Sequence, residues 1–285
     1  MNENKPDKAP SVEAEPVVEL DPLRLSYLSK NRGIIVKRSL VATAIGGIVP
    51  IPVMDDYIAG RVRAGLLIKL AEQRNVDLVT SSAELLGDPP EGSAIRSATL
   101  TAISLVAIKF AWRKVFTLLA AGRGAEEMAS TFQFATIFDH YCARVHVGGP
   151  IDRKTASELR TIIHATVAST EKATLAAVFR DGARILGKSL LEAPAWFGNR
   201  LATLAGRWVS TRGNATATFD PAADLGAGEQ TQWLDRATRA IDDRLALLGT
   251  DYLAILVEGF DRRWAIRPSD AQKPDATPHP PAEAD

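Results

Sequence analysis

Apolar residues along this chain recur mostly at intervals of three and four, the spacing of one helical face, and β-rich runs are almost absent. The clearest feature is an uncharged run from Ser39 to Met54, flanked by Lys37 and Arg38 on one side and Asp55 and Asp56 on the other. Pro50 and Pro52 remove two amide donors and push the residues before them toward extended geometry. A helix through Leu40–Val49 is therefore predicted to end near Val49. Asp55 or Asp56 can cap a second helix running to about Arg74, since a carboxylate suits the positive helix N-terminus. Ile58, Val62, Leu66, Leu67 and Leu70 give that helix its apolar side, and Arg61, Lys69 and Glu72 its polar side. The two helices form a proline-kinked hairpin.

Beyond it, Asp77–Gly92 holds Ser81-Ser82 and Gly87-Asp-Pro-Pro90 and reads as a turn or loop. Ile95–Ala121 reads as a helix with Leu105, Ile108, Trp112, Val115 and Leu119 on one face and Lys109, Arg113 and Lys114 beside it. Gly122-Arg-Gly124 breaks that pattern. Ala125–Val145 is predicted helical, with Met128, Phe132, Ala135, Phe138 and Cys142 in register. Gly148-Gly-Pro150 is a stop. Asp152 can begin the next helix, and Thr155-Ala-Ser-Glu158 also fits a capping box. Leu159, Ile162, Ile163 and Val167 follow as an apolar face.

In the C-terminal third, Trp196, Phe197, Leu201, Leu204 and Trp208 share a helical face, and Thr211–Gly228 reads as a loop. Gln230–Trp264 is the longest helical pattern, with Gly249 as an interruption. Trp233, Ala237, Ile241, Leu245 and Leu248 form its apolar side, opposite a mixed-charge face containing Asp235, Arg236, Arg239, Asp242, Asp243 and Arg244. The expected fold is all-α: one irregular multi-helix bundle over residues 21–267. The polar, proline-containing tails 1–20 and 268–285 read as disordered.

Charge adds an exclusion. Lys plus Arg is 34 and Asp plus Glu is 34, so the chain lacks the basic excess of a dedicated nucleic-acid binder. Cys142 is the only cysteine, so no intramolecular disulfide can form. The N-terminus lacks the basic start and apolar core of a signal peptide.

A spanning helix needs roughly 18 or more apolar residues, and the Ser39–Met54 run falls short. It is either a buried helix of a soluble bundle or a shallow or re-entrant hairpin with basic flanks facing the cytoplasm. Ala44-Ile-Gly-Gly-Ile-Val-Pro-Ile-Pro-Val-Met-Asp55, followed by a helix rich in Ala, Leu, Lys and Arg, resembles the YcjF-type family of bacterial membrane-associated domains. The resemblance covers roughly Val36–Leu78. This chain has the doubled Asp55-Asp56 and no evident fused GTPase domain. The resemblance implies membrane association and no particular chemistry.

Two chemical motifs need weighing. Asp139, His140, Cys142 and His146 are the densest metal-like cluster. On a helix, however, His140 points away from the other three, and zinc wants four soft or imidazole ligands. Gly182-Ala-Arg-Ile-Leu-Gly187-Lys188-Ser189 matches the phosphate-binding pattern G-x-x-x-x-G-K-[ST]. Such a loop must follow a buried strand, whereas Leu175, Val178, Phe179, Ile185, Leu186 and Leu190 form a helical face running through it. Leu253–Glu258 loosely resembles the apolar strand ending in a carboxylate that nucleotide enzymes also need. No serine–histidine–acid arrangement emerges, and Glu126-Glu127 and Asp242-Asp243 read as solvated pairs.

The sequence therefore leads to no assigned catalytic, cofactor or metal residues. The expected function is a non-catalytic, membrane-associated helical protein of the cytoplasmic face of the inner membrane. Its partners are a membrane surface or the helices of another protein, with no nucleic acid. The alternatives are a P-loop nucleotide hydrolase using Gly182–Ser189 and a soluble cytoplasmic scaffold.

Overall fold

The computed structural model describes residues 22–46, 52–88, 123–181, 232–248 and 250–267. A 3-10 segment, Pro22–Leu28, leads into α1, Ser29–Gly46, and then α2, Pro52–Gln73. These are followed by α3, Thr80–Gly87, and α4, Arg123–His140, which continues as a π-helical turn, Tyr141–Val145. Next come α5, Arg153–Ser169, a helix α6 over residues 173–181, α7, Gln232–Leu247, and α8, Thr250–Ala265. The fold is all-α. The one strand-like pairing among the described residues is an isolated parallel bridge, Leu78 to Ile151, in which the Ile151 amide donates to the Asp77 carbonyl at 2.8 Å.

Helix α4 is the axis of the bundle. Every residue from Thr131 to His140 is buried, so the helix meets protein all around its circumference. A helix enclosed on all sides belongs to the centre of the core. Met128, Phe132, Ala135, Phe138 and Cys142 lie in that core as their register predicts. The hairpin arms α1 and α2 lie against each other and both touch α4. Val62, Leu66, Leu67 and Leu70 are buried in α2, and Ile35, Val36, Leu40 and Val41 in α1. Burying a side chain of this size contributes about 1.5–3 kcal/mol, so the root of the hairpin is fixed by many such contacts. The connection at 47–51 lies outside the described residues, as do the stretch 95–121 expected to be a helix, the Gly182–Ser189 motif and the stretch around Trp196–Trp208 expected to form an apolar helical face.

Local signals set several boundaries. Helix α2 ends in a Schellman-type stop. Asn75 takes a left-handed φ of 56°, the Val76 amide donates to Ala71 O at 2.9 Å and the Asn75 amide to Glu72 O at 3.1 Å. Gly148, with φ of 105°, lies in the break after α4. Asp152 caps α5 by accepting from the Thr155 amide at 2.8 Å. Thr155 is thus the third residue of that helix and not the start of its own capping box. The break near Gly249 divides Gln230–Trp264 into α7 and α8.

Three expectations are corrected. Thr80–Gly87, read as loop, is helix α3. It buries Ala83 and Leu86, and Gly87 marks its end, where the chain crosses α2 at Gly60 too closely for any side chain. Leu253–Glu258 lies within α8 and forms no strand. The carboxylate pairs are only partly solvated, since Asp242 pairs with Arg32 of α1 and Glu127 with Arg63 of α2.

Candidate functional site

The chemistry of the described residues concentrates on α4, at both ends of its buried stretch. At the C-terminal end, Asp139 and His140 are adjacent on a helix whose other faces carry Phe132, Phe134, Ile137 and Phe138. Buried polar groups need hydrogen-bond partners, and buried charges need opposite charges. Both find them at long sequence distance.

The Asp139 side chain is fully buried and accepts three bonds: from Arg74 Nε at 2.8 Å, Arg74 Nη2 at 2.6 Å and Asn31 Nδ2 at 2.7 Å. This fork-on-carboxylate geometry is the strong form of an ion pair. The bonded Asp139 carboxylate raises the Arg74 pKa. The Schellman stop places Arg74 here, at the foot of α2, where its Nη2 also donates to the Tyr27 carbonyl at 2.7 Å.

His140 is 4% exposed and uses both ring nitrogens. Nε2 lies 2.8 Å from Asp261 Oδ1, and Nδ1 lies 2.5 Å from the Tyr27 hydroxyl. A carboxylate only accepts, so Nε2–H donates to Asp261, while Nδ1 shares a hydrogen bond with the Tyr27 hydroxyl. Burial pushes the Tyr27 phenol up to about 12, which keeps it protonated and able to donate. Arg144 sits 4.7 Å from the Tyr27 ring centroid and Arg74 5.7 Å from it. Phe260 meets His140 edge-on at 5.9 Å. The 3-10 segment, α2, α4 and α8 are thereby pinned together at the foot of the hairpin.

The metal-like cluster is dispersed by this arrangement. Asp139 faces Arg74, His140 faces Tyr27 and Asp261, and Cys142 is a buried thiol whose pKa burial raises. His146 turns toward Tyr141, whose hydroxyl lies 3.4 Å from Nδ1. Among the described residues no group of three or more His, Cys, Asp or Glu side chains is placed to share a metal ion.

At the N-terminal end of α4, Arg63 of α2 is a buried guanidinium. Its Nη1 donates to Gly87 O at 3.0 Å and its Nη2 to Glu127 Oε1 at 3.1 Å, while its buried Nε has no partner. The ring of His164 on α5 lies tilted against Phe134 with centroids 5.1 Å apart, and its buried Nε2 also has no partner. Burial, then the charges of Arg63, Arg160 and Lys172, push the His164 pKa down to about 4, so the imidazole is neutral near pH 7.

The cations that flank the uncharged run are committed inside the protein. Arg38 is buried and donates to Gly65 O at 2.9 Å, Lys37 pairs with Asp235 at 2.9 Å, and Arg61 pairs with Glu84. No described helix is long and apolar enough to cross a membrane. Before the phosphate-binding motif, residues 173–181 are helical where a nucleotide site needs a strand, with Leu175 and Phe179 in the core.

Sequence reasoning missed Tyr27, Arg74 and Asp261, whose partners lie 113, 65 and 121 residues away. One signal was available: an Asp-His pair on an otherwise apolar helix needs partners from elsewhere in the chain. No family model, no curated protein and no solved structure matches this chain.

Proposed function

We propose that this chain is a non-catalytic, membrane-associated helical protein of the cytoplasmic face, acting as an adaptor or membrane-remodelling partner through the tip of the α1–α2 hairpin. The observation that supports it most is the rooting of both arms. Buried positions run from Asn31 to Ala42 on the first helix and from Gly60 to Ala71 on the second, and the foot is pinned by Arg74, Asp139 and Asn31. The uncharged tip sequence that follows Ala42, up to Met54, is thereby attached to a fixed base. Contact is shallow, because the flanking cations Arg38, Arg61 and Lys37 are bonded within the protein and are not available as a headgroup clamp. The buried Arg74–Asp139 pair with Asn31 Nδ2 fits a structural role.

Flotation of the purified full-length chain with bilayer vesicles tests this. The chain is expected to float with the vesicles, and Ile48→Asp with Ile51→Asp is expected to abolish flotation while leaving the helical circular dichroism intact. A chain that stays wholly in the dense fraction would overturn the reading. The competing nucleotide hydrolase predicts nucleotide binding that Lys188→Ala removes.

A further inference from the structure

The foot of the bundle presents apolar groups to solvent. Val147 is 92% exposed and Ile266 78% exposed, and a chain of ring contacts joins them. Val147 follows His146, whose Nδ1 lies 3.4 Å from the Tyr141 hydroxyl. Tyr141 meets Trp264 edge-on with centroids 5.0 Å apart, and Ile266 lies two residues beyond Trp264. Exposed apolar groups that cluster mark a contact surface. Two cations frame this one. Arg267 lies 3.8 Å over the Trp264 ring and Arg144 4.7 Å over the Tyr27 ring. Both are exposed, and a guanidinium stacked on a ring still presents N–H groups at its edge to an anion. The acids on the neighbouring turns are already used, Asp261 by His140 and Asp152 by the Thr155 amide.

The sequence that enters this end of the molecule has the complementary character. Ser11–Asp21 carries Glu13, Glu15, Glu19 and Asp21 with no Lys or Arg, and the aliphatic Val12, Val17, Val18 and Leu20. It leads directly into Pro22, the start of the 3-10 segment that holds Tyr27 and touches α8. We propose that residues 11–21 dock on the foot of their own chain, with carboxylates on Arg144 and Arg267 and aliphatic side chains against Val147 and Ile266. Complementary charge fixes the register of such a contact, and apolar cover removes the exposed surface from water. The short connection sets an effective concentration on the order of 1 mM, so even a weak intrinsic affinity holds the segment in place. The inference goes beyond the hairpin reading and is independent of it. Helix α1 is about 27 Å long and runs from Ser29 at the foot to Gly46 on the tip side, so the two surfaces lie at opposite ends of it.

The test uses the full-length chain with Ala14→Cys carrying a nitroxide label, the native Cys142 being buried. Line broadening is read by NMR at the Trp264 indole and the His146 ring. Both signals are expected to broaden severalfold more at low salt than in about 1 M sodium chloride, where charges are screened within a few ångströms. Glu13→Gln, Glu15→Gln and Glu19→Gln together are expected to remove most of that excess, as is Arg144→Glu with Arg267→Glu. Joining the two arginine reversals to Glu13→Lys, Glu15→Lys and Glu19→Lys is expected to restore it. The circular dichroism spectrum is expected to stay unchanged throughout. Equal broadening with and without the three glutamates overturns the proposal, because tethering alone then accounts for the approach. Absence of broadening at low salt overturns it too. So does broadening that passes from a labelled chain to an unlabelled one in a mixture, which makes the occupant a second copy.

Discussion

The two ends of α4's buried stretch hold similar groups in opposite conditions. At the foot of the hairpin, Arg74 and Asn31 donate three bonds to Asp139, and His140 engages Tyr27 and Asp261 with its two nitrogens, which leaves Asn31 Oδ1 as the buried atom of that group without a partner. Toward the other end, a buried guanidinium and a half-buried imidazole each keep one buried nitrogen, Arg63 Nε and His164 Nε2, without a partner. The difference separates two uses of buried polarity. A closed network fixes the relative placement of helices. A group left without a partner leaves its desolvation unrepaid.

The sharpest way to break this contrast is to open the closed end. Asp139→Ala leaves Arg74 and Asn31 facing a void, and loss of one member of a buried pair costs about 3–5 kcal/mol. Urea denaturation is expected to show that loss, with Asp139→Asn recovering only part of it. A smaller effect is expected at the α2–α3 crossing. A Cβ on Gly87 would press into the Gly60 carbonyl and lie 2.9 Å from the Ala64 amide nitrogen, shifting the carbonyl that Arg63 uses. Gly87→Ala should cost about 1–3 kcal/mol by overpacking.

The third experiment reads the open end by pH. The His164 pKa falls from 6.5 to about 4 on folding, so the unfolded chain takes up its proton first on acidification. Stability contributed here is intact above pH 6.5 and is lost progressively down to about pH 4. Discounted for the ring's partial exposure, the loss is about 1 kcal/mol. It is checked as the difference between wild type and His164→Phe across that range. The smallest change belongs to neither end. Asp152→Ala removes the acceptor of the Thr155 amide, and a slight drop in thermal midpoint is expected, with Asp152→Asn close to wild type.

Much of the helical framework could be read from spacing, because an amphipathic face repeats locally. The register Met128, Phe132, Ala135, Phe138 and Cys142 placed α4 in the core, and Asp152 marked the start of α5. Helix α3 was misread because Ser81-Ser82 and Gly87-Asp-Pro-Pro90 carry turn composition, while the helix is held by Ala83 and Leu86 packing inward. The mixed-charge face of α7 read as exposed, yet Asp235 and Asp242 dock on Lys37 and Arg32. The Asp139-His140 pair signals that partners are needed, yet nothing local names Tyr27, Arg74 or Asp261 as those partners. They come from different elements of the chain, and only packing brings them together.

The enclosure of Thr131–His140 on every side has a consequence for how the molecule breathes. Amides along those ten residues have no local route to solvent. They should exchange deuterium only when the whole bundle opens, while the ends of α3 and α8 exchange by fraying. The slowest-exchanging amides would thus mark out this one helix, and their rate would report the global stability of the protein.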